Sequence, residues 1–426
     1  MTAMRDPAGT PGAVAASAVE SRPVYLATTP PAVLASREEA VEWARALGPA
    51  LSARTAEAEE LRRLPDANVQ AILENGLCGI MTPKHFGGSE LGAETMIDVT
   101  IELGRSCAAT GWVHMLWTAH MWMLALFPPA AQEELWSNPS SLASSVVSTI
   151  GDVVPIDGGY RWTGRGFFSS GVDHCNWLTA VVPVKREGDE PAERRWMLIP
   201  REDLEIIDDW RTVGLRGTGS KTVTFEDVFV PEYRTVAATD VENGITPGGA
   251  FHHNPMYCGI SSANFTAAMA APAVGAAKGF LAAFEERLRS KIAGAGKDVN
   301  SPYLGEGLGT TIGRYAAAAA QIDAVHALSL ADARRFSSVP ADQVSEVDRA
   351  RCRRNQTFTA QSVRRVVNGL YEECGGTGLL ESSDLQRTWR DVNAAAAHRG
   401  LTWDWQAEAW PKALFASTEP SAPERS

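Results

Sequence analysis

The segment DGGYRWTGRGFFSSGVDHCNW, residues 157–177, carries glycine at Gly158, Gly159, Gly164, Gly166 and Gly171 among aromatic residues. A helix interior tolerates glycine poorly, at a cost of about 1 kcal/mol against alanine, so this spacing reads as short strands joined by tight turns. Its centre, Phe167-Phe168-Ser169-Ser170-Gly171, reads as a strand running into a turn. The same character continues on both sides. VVSTIGDVVPI (146–156) precedes it, and NWLTAVVPV (176–184), RWMLIP (195–200) and TVTFEDVFVP (222–231) follow. These runs predict a β-barrel or β-sandwich within residues 143–245.

Working outward, both flanks read as helix. On the N-terminal side, 37–63 is rich in Ala, Glu, Leu and Arg. A second helix begins near Pro65, with Val69, Ile72 and Leu73 on one face and Gly76 as its stop. Pro83, Gly87 and Gly88 make 81–92 a loop. Helix resumes over 93–104 with Met96, Thr100 and Leu103 in register. Residues 111–127 form an aromatic helix closed by Pro128-Pro129. Beyond residue 254 the chain predicts long helices over 261–290, 308–335, 344–374 and 384–398, whose Ala and Gly content permits close approach. The expected architecture is α+β and multidomain: a disordered tail (1–35), an N-terminal α-domain (36–142), a middle β-domain (143–245) and a C-terminal four-helix bundle with its tail (246–426).

The 426 residues are 45% hydrophobic, enough for a large core, and carry a net charge of -12. That charge repels a polyanion, so nucleic acid is excluded as a partner. No apolar run approaches the roughly 20 residues of a membrane helix. The first residues lack a basic segment followed by an apolar one, so a soluble, cytoplasmic protein is expected. Six scattered cysteines, none in a CxxC pair, read as buried free thiols.

Several tempting motifs fail on context. GEGLGT (305–310) has no strand before it and no βαβ unit around it, so it is not a dinucleotide fingerprint. GLRGTGSK (214–221) lacks P-loop spacing and reads as a turn whose backbone amides face a ligand or simply pack. The chain thus has no evident NAD(P)H site. His114 and His120 are six apart and do not share a helix face as a metal-binding pair would. His252-His253 reads as a solvated loop pair, and His174-Cys175 as packing. Three features remain: Trp112 and His120 on the aromatic helix, the 167–171 run, and Asp391 to His398 near the C-terminus. Each alone has an ordinary structural reading as core, strand end or helix-terminal dipole contact.

Together and in this order, they resemble the acyl-CoA dehydrogenase superfamily, and within it the flavin-dependent monooxygenase branch. Seven landmarks carry the resemblance. They are PKHFGG (83–88), the Trp112–His120 segment, residues 157–177, WRTVGLRGTGS (210–220), VTFEDVFVP (223–231), GGTGL (375–379) and LQRTWRDVNAAAAH (385–398). The branch is decided by an absence of carboxylates. Acyl-CoA dehydrogenases need a base to take the α-proton of a thioester. The segment AHRGLT (397–402) holds no Glu, and 261–271 holds neither Asp nor Glu.

The resemblance implies the oxygenase component of a two-component system. It would use O2 and reduced FMN or FAD, supplied by a separate NAD(P)H:flavin reductase, to hydroxylate an aromatic, phenolic or polyketide-like small molecule through a C4a-hydroperoxyflavin. N-oxygenation of an amine or amino sugar, acyl-CoA dehydrogenation and non-catalytic ligand binding are the competing readings. By resemblance Ser170, with Ser169 as alternative, meets flavin N5. His398 lies close to the flavin, and His120 contacts the substrate. Trp112 and Phe168 wall the ring, and Ser145 touches it. Gly375, Gly376 and Thr377 meet flavin from a neighbouring subunit of a homotetramer. No metal is implied.

Overall fold

The computed structural model describes residues 30–185, 192–257, 267–294, 306–338 and 344–416. Most of the expected tail, Cys258, Gly305 and the beginning of the helical stretch at Ser261 lie outside the described residues.

Six helices come first: α1 (Arg37–Ala53), α2 (Thr55–Leu61), α3 (Asp66–Glu74), α4 (Ala93–Ser106), α5 (Ala108–Leu124) and α6 (Pro129–Leu135). Sequence reads 37–63 as one helix, but the chain turns at Arg54 and ends the second piece at Arg62 in the left-handed region. The break lets α2 lay Ala58 against Gly217 of the β region. Gly76 ends α3 with φ 69°, as its position suggests. Helix α5 is buried on every face except at Leu116, the condition for a helix apolar all round.

Eight strands follow: β1 (Ala143–Val146), β2 (Ser148–Ile156), β3 (Gly159–Ser169), β4 (Trp177–Val184), β5 (Glu193–Pro200), β6 (Glu205–Ile207), β7 (Lys221–Pro231) and β8 (Thr235–Ala237). They form two four-stranded sheets, ordered β1-β4-β5-β8 and β2-β3-β7-β6. Of the two expected forms the closed barrel is not the one found, because among the described residues no hydrogen-bonded strand pair joins one sheet to the other. Between them Val146, Val153, Trp162, Ile199, Val223 and Phe225 make a separate apolar core, and Trp162 stacks on Phe225 at 3.8 Å.

The remaining helices are α7 (Ala238–Asn243), α8 (Pro247–His252), α9 (Ala271–Gly294), α10 (Glu306–Ser338), α11 (Glu346–Tyr371), α12 (Asp384–Ala396), α13 (Trp403–Gln406) and α14 (Ala409–Ala416). Helix α9 packs on α4, α11 and α12, so the N-terminal helices and C-terminal helices share one core. The approach is close because it runs through glycine. A Cβ on Gly275 would lie 2.7 Å from Ile101 O, and one on Gly104 3.4 Å from Gly275 Cα. Among the described residues no helix is long and apolar enough to cross a membrane. The five described cysteines are all free and buried.

Candidate functional site

The site is built where β3 ends against α5. Strand β3 pairs with β2 as far as Phe167 opposite Ser148, and with β7 as far as Ser169 opposite Lys221, with a register shift between Gly166 and Ser169. Phe168 is the extra residue of that bulge. It sits at φ 64°, uncommon for a bulky side chain, and is 59% exposed. The chain then turns at Gly171, φ 69°, where a Cβ would lie 2.6 Å from Val113 and 2.8 Å from Trp117 of α5. Only glycine lets the strand end reach the helix this closely.

Past the bulge, the two adjacent serines make different contacts. Ser169 is fully buried with its Oγ 2.8 Å from Ser144 Oγ. Ser144 donates its single hydrogen to Ser170 O at 2.8 Å, so Ser169 is the donor in the serine pair. Ser170 faces elsewhere. Its Oγ accepts Trp112 Nε1–H at 3.2 Å and lies 2.7 Å from Ser220 Oγ.

Trp112 also stands against His398, ring centroids 5.5 Å apart. His398 follows α12, and its Nδ1 accepts Gly400 N–H at 3.1 Å. The neutral ring therefore carries its proton on Nε2. Part of the ring is open to solvent, but the protein around the rest withholds water and lowers its pKa below the ordinary 6.5. Strand end, aromatic helix and C-terminal helix are thus brought together at Ser170, Trp112 and His398.

His120 lies two turns along α5 from Trp112, fully enclosed, with Nδ1 3.0 Å from Ala143 O of β1. A carbonyl only accepts, so Nδ1 is the donor and Nε2 holds a lone pair. Burial lowers its pKa from 6.5 to about 4, opposed by that hydrogen bond, which keeps the ring neutral at physiological pH. Ser145 follows Ser144 on β1, half-buried and opposite Thr179. Phe168 meets Trp210 edge-on at 6.4 Å.

Gly375, Gly376 and Thr377 are not brought to Ser170 within the chain. Gln361 of α11 reaches Ala396 O and Leu401 O beside the His398 turn. The helix then continues to Tyr371, about 15 Å further at ~1.5 Å per residue, before the exposed glycines begin.

Sequence reading gave no role to Ser220, Thr218 or Ser144, all within the hydrogen-bond network of the two serines. The only signal for Thr218 and Ser220 is TGS at the end of 210–220, a common turn composition, and Ser144 has none. It also missed the partner of Asp391, whose Oδ1 accepts Leu215 N–H at 2.6 Å and ties α12 to that turn. The turn itself packs: Gly217 lies on Ala58 and Ala109. His252 is not the solvated residue expected from its loop. Its Nε2 bonds Gln132 Oε1 at 2.7 Å, and its ring packs on Tyr257 at 4.8 Å. His114 is a satisfied core residue between Thr100, Thr118 and Leu77 O. His174 packs on Leu64 O at 3.0 Å.

Known proteins share this framework. The acyl-CoA dehydrogenase N-terminal domain matches residues 35–140 and the C-terminal domain matches residues 267–403. The chain is 35% identical over 362 residues to the oxygenase component of the FADH(2)-dependent resorcinol hydroxylase of Rhizobium sp. (strain MTP-10005), covering 81% of this chain and 86% of the relative. The crystal structure of the HsaA monooxygenase from M. tuberculosis superposes with a TM-score of 0.83 at 31% identity, over 89% of this chain and 99% of the other.

The chain belongs to the flavin-dependent monooxygenase branch of the acyl-CoA dehydrogenase superfamily.

This monooxygenase is therefore an enzyme that works with reduced flavin and O2. XiaF from Streptomyces sp., solved in complex with FADH2 and glycerol, has the same fold at a TM-score of 0.75 and 29% identity, over 91% of this chain and 97% of the other. The donor set of the monooxygenase fits a flavin ring. An uncharged hydroxyl at Ser170, an indole at Trp112 and an imidazole at His398 converge, with no carboxylate in their contacts among the described residues. The one buried acid on α12, Asp391, is turned to the backbone of Leu215.

Proposed function

We propose that this chain is the oxygenase component of a two-component system that hydroxylates a phenolic or similar aromatic small molecule, with a separate NAD(P)H:flavin reductase supplying reduced FMN or FAD. The observation that carries the proposal is the contact of both Ser170 and His398 with Trp112, the first by a hydrogen bond of 3.2 Å and the second with ring centroids 5.5 Å apart, with a buried, neutral His120 on the same helix. The bound flavin supplies the activation of O2 and the transfer of one oxygen atom.

The residues supply position and proton placement. Ser170 offers a neutral oxygen to the ring's N5 side, and Trp112, Phe168 and Ser145 bound the ring. Ser169, its hydroxyl engaged by Ser144, shapes the wall. His398 is neutral before an anion arrives. A negative ring placed beside it raises its pKa, so binding reduced flavin draws a proton onto it. His120, with a pKa near 4, is too weak a base to hold a phenol's proton, so it orients the phenol O–H by accepting a hydrogen bond. Apolar burial around α5 keeps water from the reacting atoms.

The helices α9 to α12 form the four-helix bundle of the expected architecture, and the chain assembles as a homotetramer. Exposed Leu379 and Leu380 beside Gly375, Gly376 and Thr377 support a subunit contact there, with those residues meeting flavin of a neighbouring subunit.

The test supplies purified protein with reduced FMN or FAD and a set of phenols, resorcinol included, under isotopically labelled O2. The expected result is a product carrying one labelled oxygen, formed only with reduced flavin. Recovery of all consumed oxygen as hydrogen peroxide with every phenol overturns the proposal.

A further inference from the structure

Four hydrogen bonds run in series behind Ser170. Trp112 Nε1–H donates to Ser170 Oγ at 3.2 Å, Ser170 and Ser220 Oγ lie 2.7 Å apart, and Ser220 Oγ and Thr218 Oγ1 lie 2.7 Å apart. Thr218 Oγ1 donates to Leu215 O at 2.9 Å. All three hydroxyl residues are buried. The two ends of the chain fix the direction of the middle. An indole N–H can only donate, and a carbonyl can only accept. With Thr218's hydrogen on Leu215 O, Ser220 must donate to Thr218 and Ser170 must donate to Ser220. This order uses every hydroxyl hydrogen inside the protein. The reverse order leaves Ser170's hydrogen without a protein acceptor and gives up the Thr218 bond to Leu215.

We propose that Ser220 and Thr218 are positioning residues that hold the Ser170 hydroxyl as an acceptor toward the flavin site, making the site selective for reduced over oxidised flavin. The proposal rests on the reading that the flavin lies at Ser170. One lone pair of Ser170 Oγ takes the Trp112 N–H and its hydrogen goes to Ser220. What remains is a single lone pair. Reduced flavin carries N5–H, a donor that matches it. Oxidised flavin carries a lone pair at N5, which opposes it unless Ser170 turns its hydrogen to N5 and the bond to Ser220 is lost. A net hydrogen bond corresponds to about a fivefold change in a binding constant. Such a bias suits an enzyme that receives its flavin reduced and must let it go oxidised.

The loop that carries the relay is held rigidly. Asp391 fixes Leu215 N–H at 2.6 Å, and Gly219, φ 54°, lies where a Cβ would be 2.7 Å from Asp173 Oδ2.

The test is the ratio of dissociation constants for oxidised and reduced FMN, and separately FAD, titrated anaerobically without substrate or turnover. Wild type is expected to prefer reduced flavin. Ser220→Ala releases the Ser170 hydrogen, so the ratio falls about fivefold, mainly through tighter binding of oxidised flavin. Ser220→Thr, which keeps the hydroxyl, restores it. Thr218→Val removes the acceptor for Ser220, whose hydrogen then turns to Ser170. Ser170 becomes a donor, and the ratio falls further than in Ser220→Ala. In a Ser170→Ala background neither substitution changes the ratio, whereas a general loosening of the loop would still act there. An unchanged ratio in Ser220→Ala and Thr218→Val, with Ser170→Ala changing it, overturns the relay and leaves the flavin at Ser170. No response to Ser170→Ala overturns both.

Discussion

Asp391→Asn tests whether a neutral carboxyl, rather than a charged one, ties α12 to the turn that carries Thr218 and Ser220. The wild-type carboxyl is raised from 3.8 to about 7, first by burial and then by Glu59. The Leu215 N–H, Arg390 and Arg387 pull it the other way. In the unfolded chain the group ionises near its ordinary value. Between pH 4 and 7 the unfolded state has therefore lost a proton that the folded state keeps, and stability falls as pH rises. Above pH 7 the loss is complete and the contribution is flat. At about 1.4 kcal/mol per pKa unit, the group costs the native state about 4 kcal/mol at pH 8. Asparagine cannot ionise and still offers an oxygen to Leu215 N–H. The protonated native carboxyl makes the same neutral bond, and the value of about 7 already includes the pull of Leu215 N–H. The variant should thus be more stable than wild type by about 4 kcal/mol at pH 8, and by only about 1 kcal/mol at pH 4.5.

The absolute pH profile is not the readout. His114, His120 and His174 are each held near pKa 4 by burial. Their unfolded forms bind protons near 6.5, so stability present above that pH is lost as pH falls toward 4, by about 3 kcal/mol for each ring. That loss is common to both proteins and cancels in the difference. Urea unfolding of the two proteins at pH 4.5, 6 and 8 gives the difference directly. A difference that does not change with pH, or a variant weaker than wild type at pH 8, refutes the reasoning. Asp391→Ala, which cannot ionise either but leaves Leu215 N–H unpaired, should be less stable than Asp391→Asn by about 1–3 kcal/mol at every pH.

Two further outcomes follow from named contacts. Lys221, 4% exposed, bonds Asp173 Oδ1 at 2.7 Å, and Asp173 is 3% exposed. Lys221→Met strands a buried carboxylate and should cost about 3–5 kcal/mol in urea unfolding, while Lys221→Met with Asp173→Leu should recover most of it. His120→Leu removes the proposed phenol acceptor without disturbing a charge. It should raise KM for a phenol at least tenfold with a profile flat from pH 6 to 8, because the wild-type ring is already neutral there. A KM effect that appears only below pH 7 would contradict the neutral-acceptor role.

Element types were largely legible in the sequence because burial follows periodicity. Val69, Ile72 and Leu73 of α3 are buried as their spacing demands, and the 111–127 run is a buried helix because its apolar residues cover all its faces. The breaks were not. Nothing local at Arg54 announces a turn, which is imposed by the fit of Ala58 on Gly217. Sequence also left barrel and sandwich open, since both use the same alternation and differ only in whether the edge strands pair. At the site, Ser170, Trp112 and His398 could be named from the order of landmarks. Ser220 and Thr218 could not, because a hydroxyl in a turn carries no signal until its partner is placed.

By itself the sequence determined the α-β-α order of the chain, its family and the absence of a thioester base, because these depend on residue type and order alone. The tertiary structure decided what Phe167-Phe168-Ser169-Ser170-Gly171 does. Residue type alone does not rank the two adjacent serines. A bulge at Phe168 and a left-handed Gly171 turn one hydroxyl to Ser144 and the other to Trp112 and Ser220. A hydrogen bond depends on distances of a few tenths of an ångström between residues far apart in the chain, and only the packed fold sets those distances.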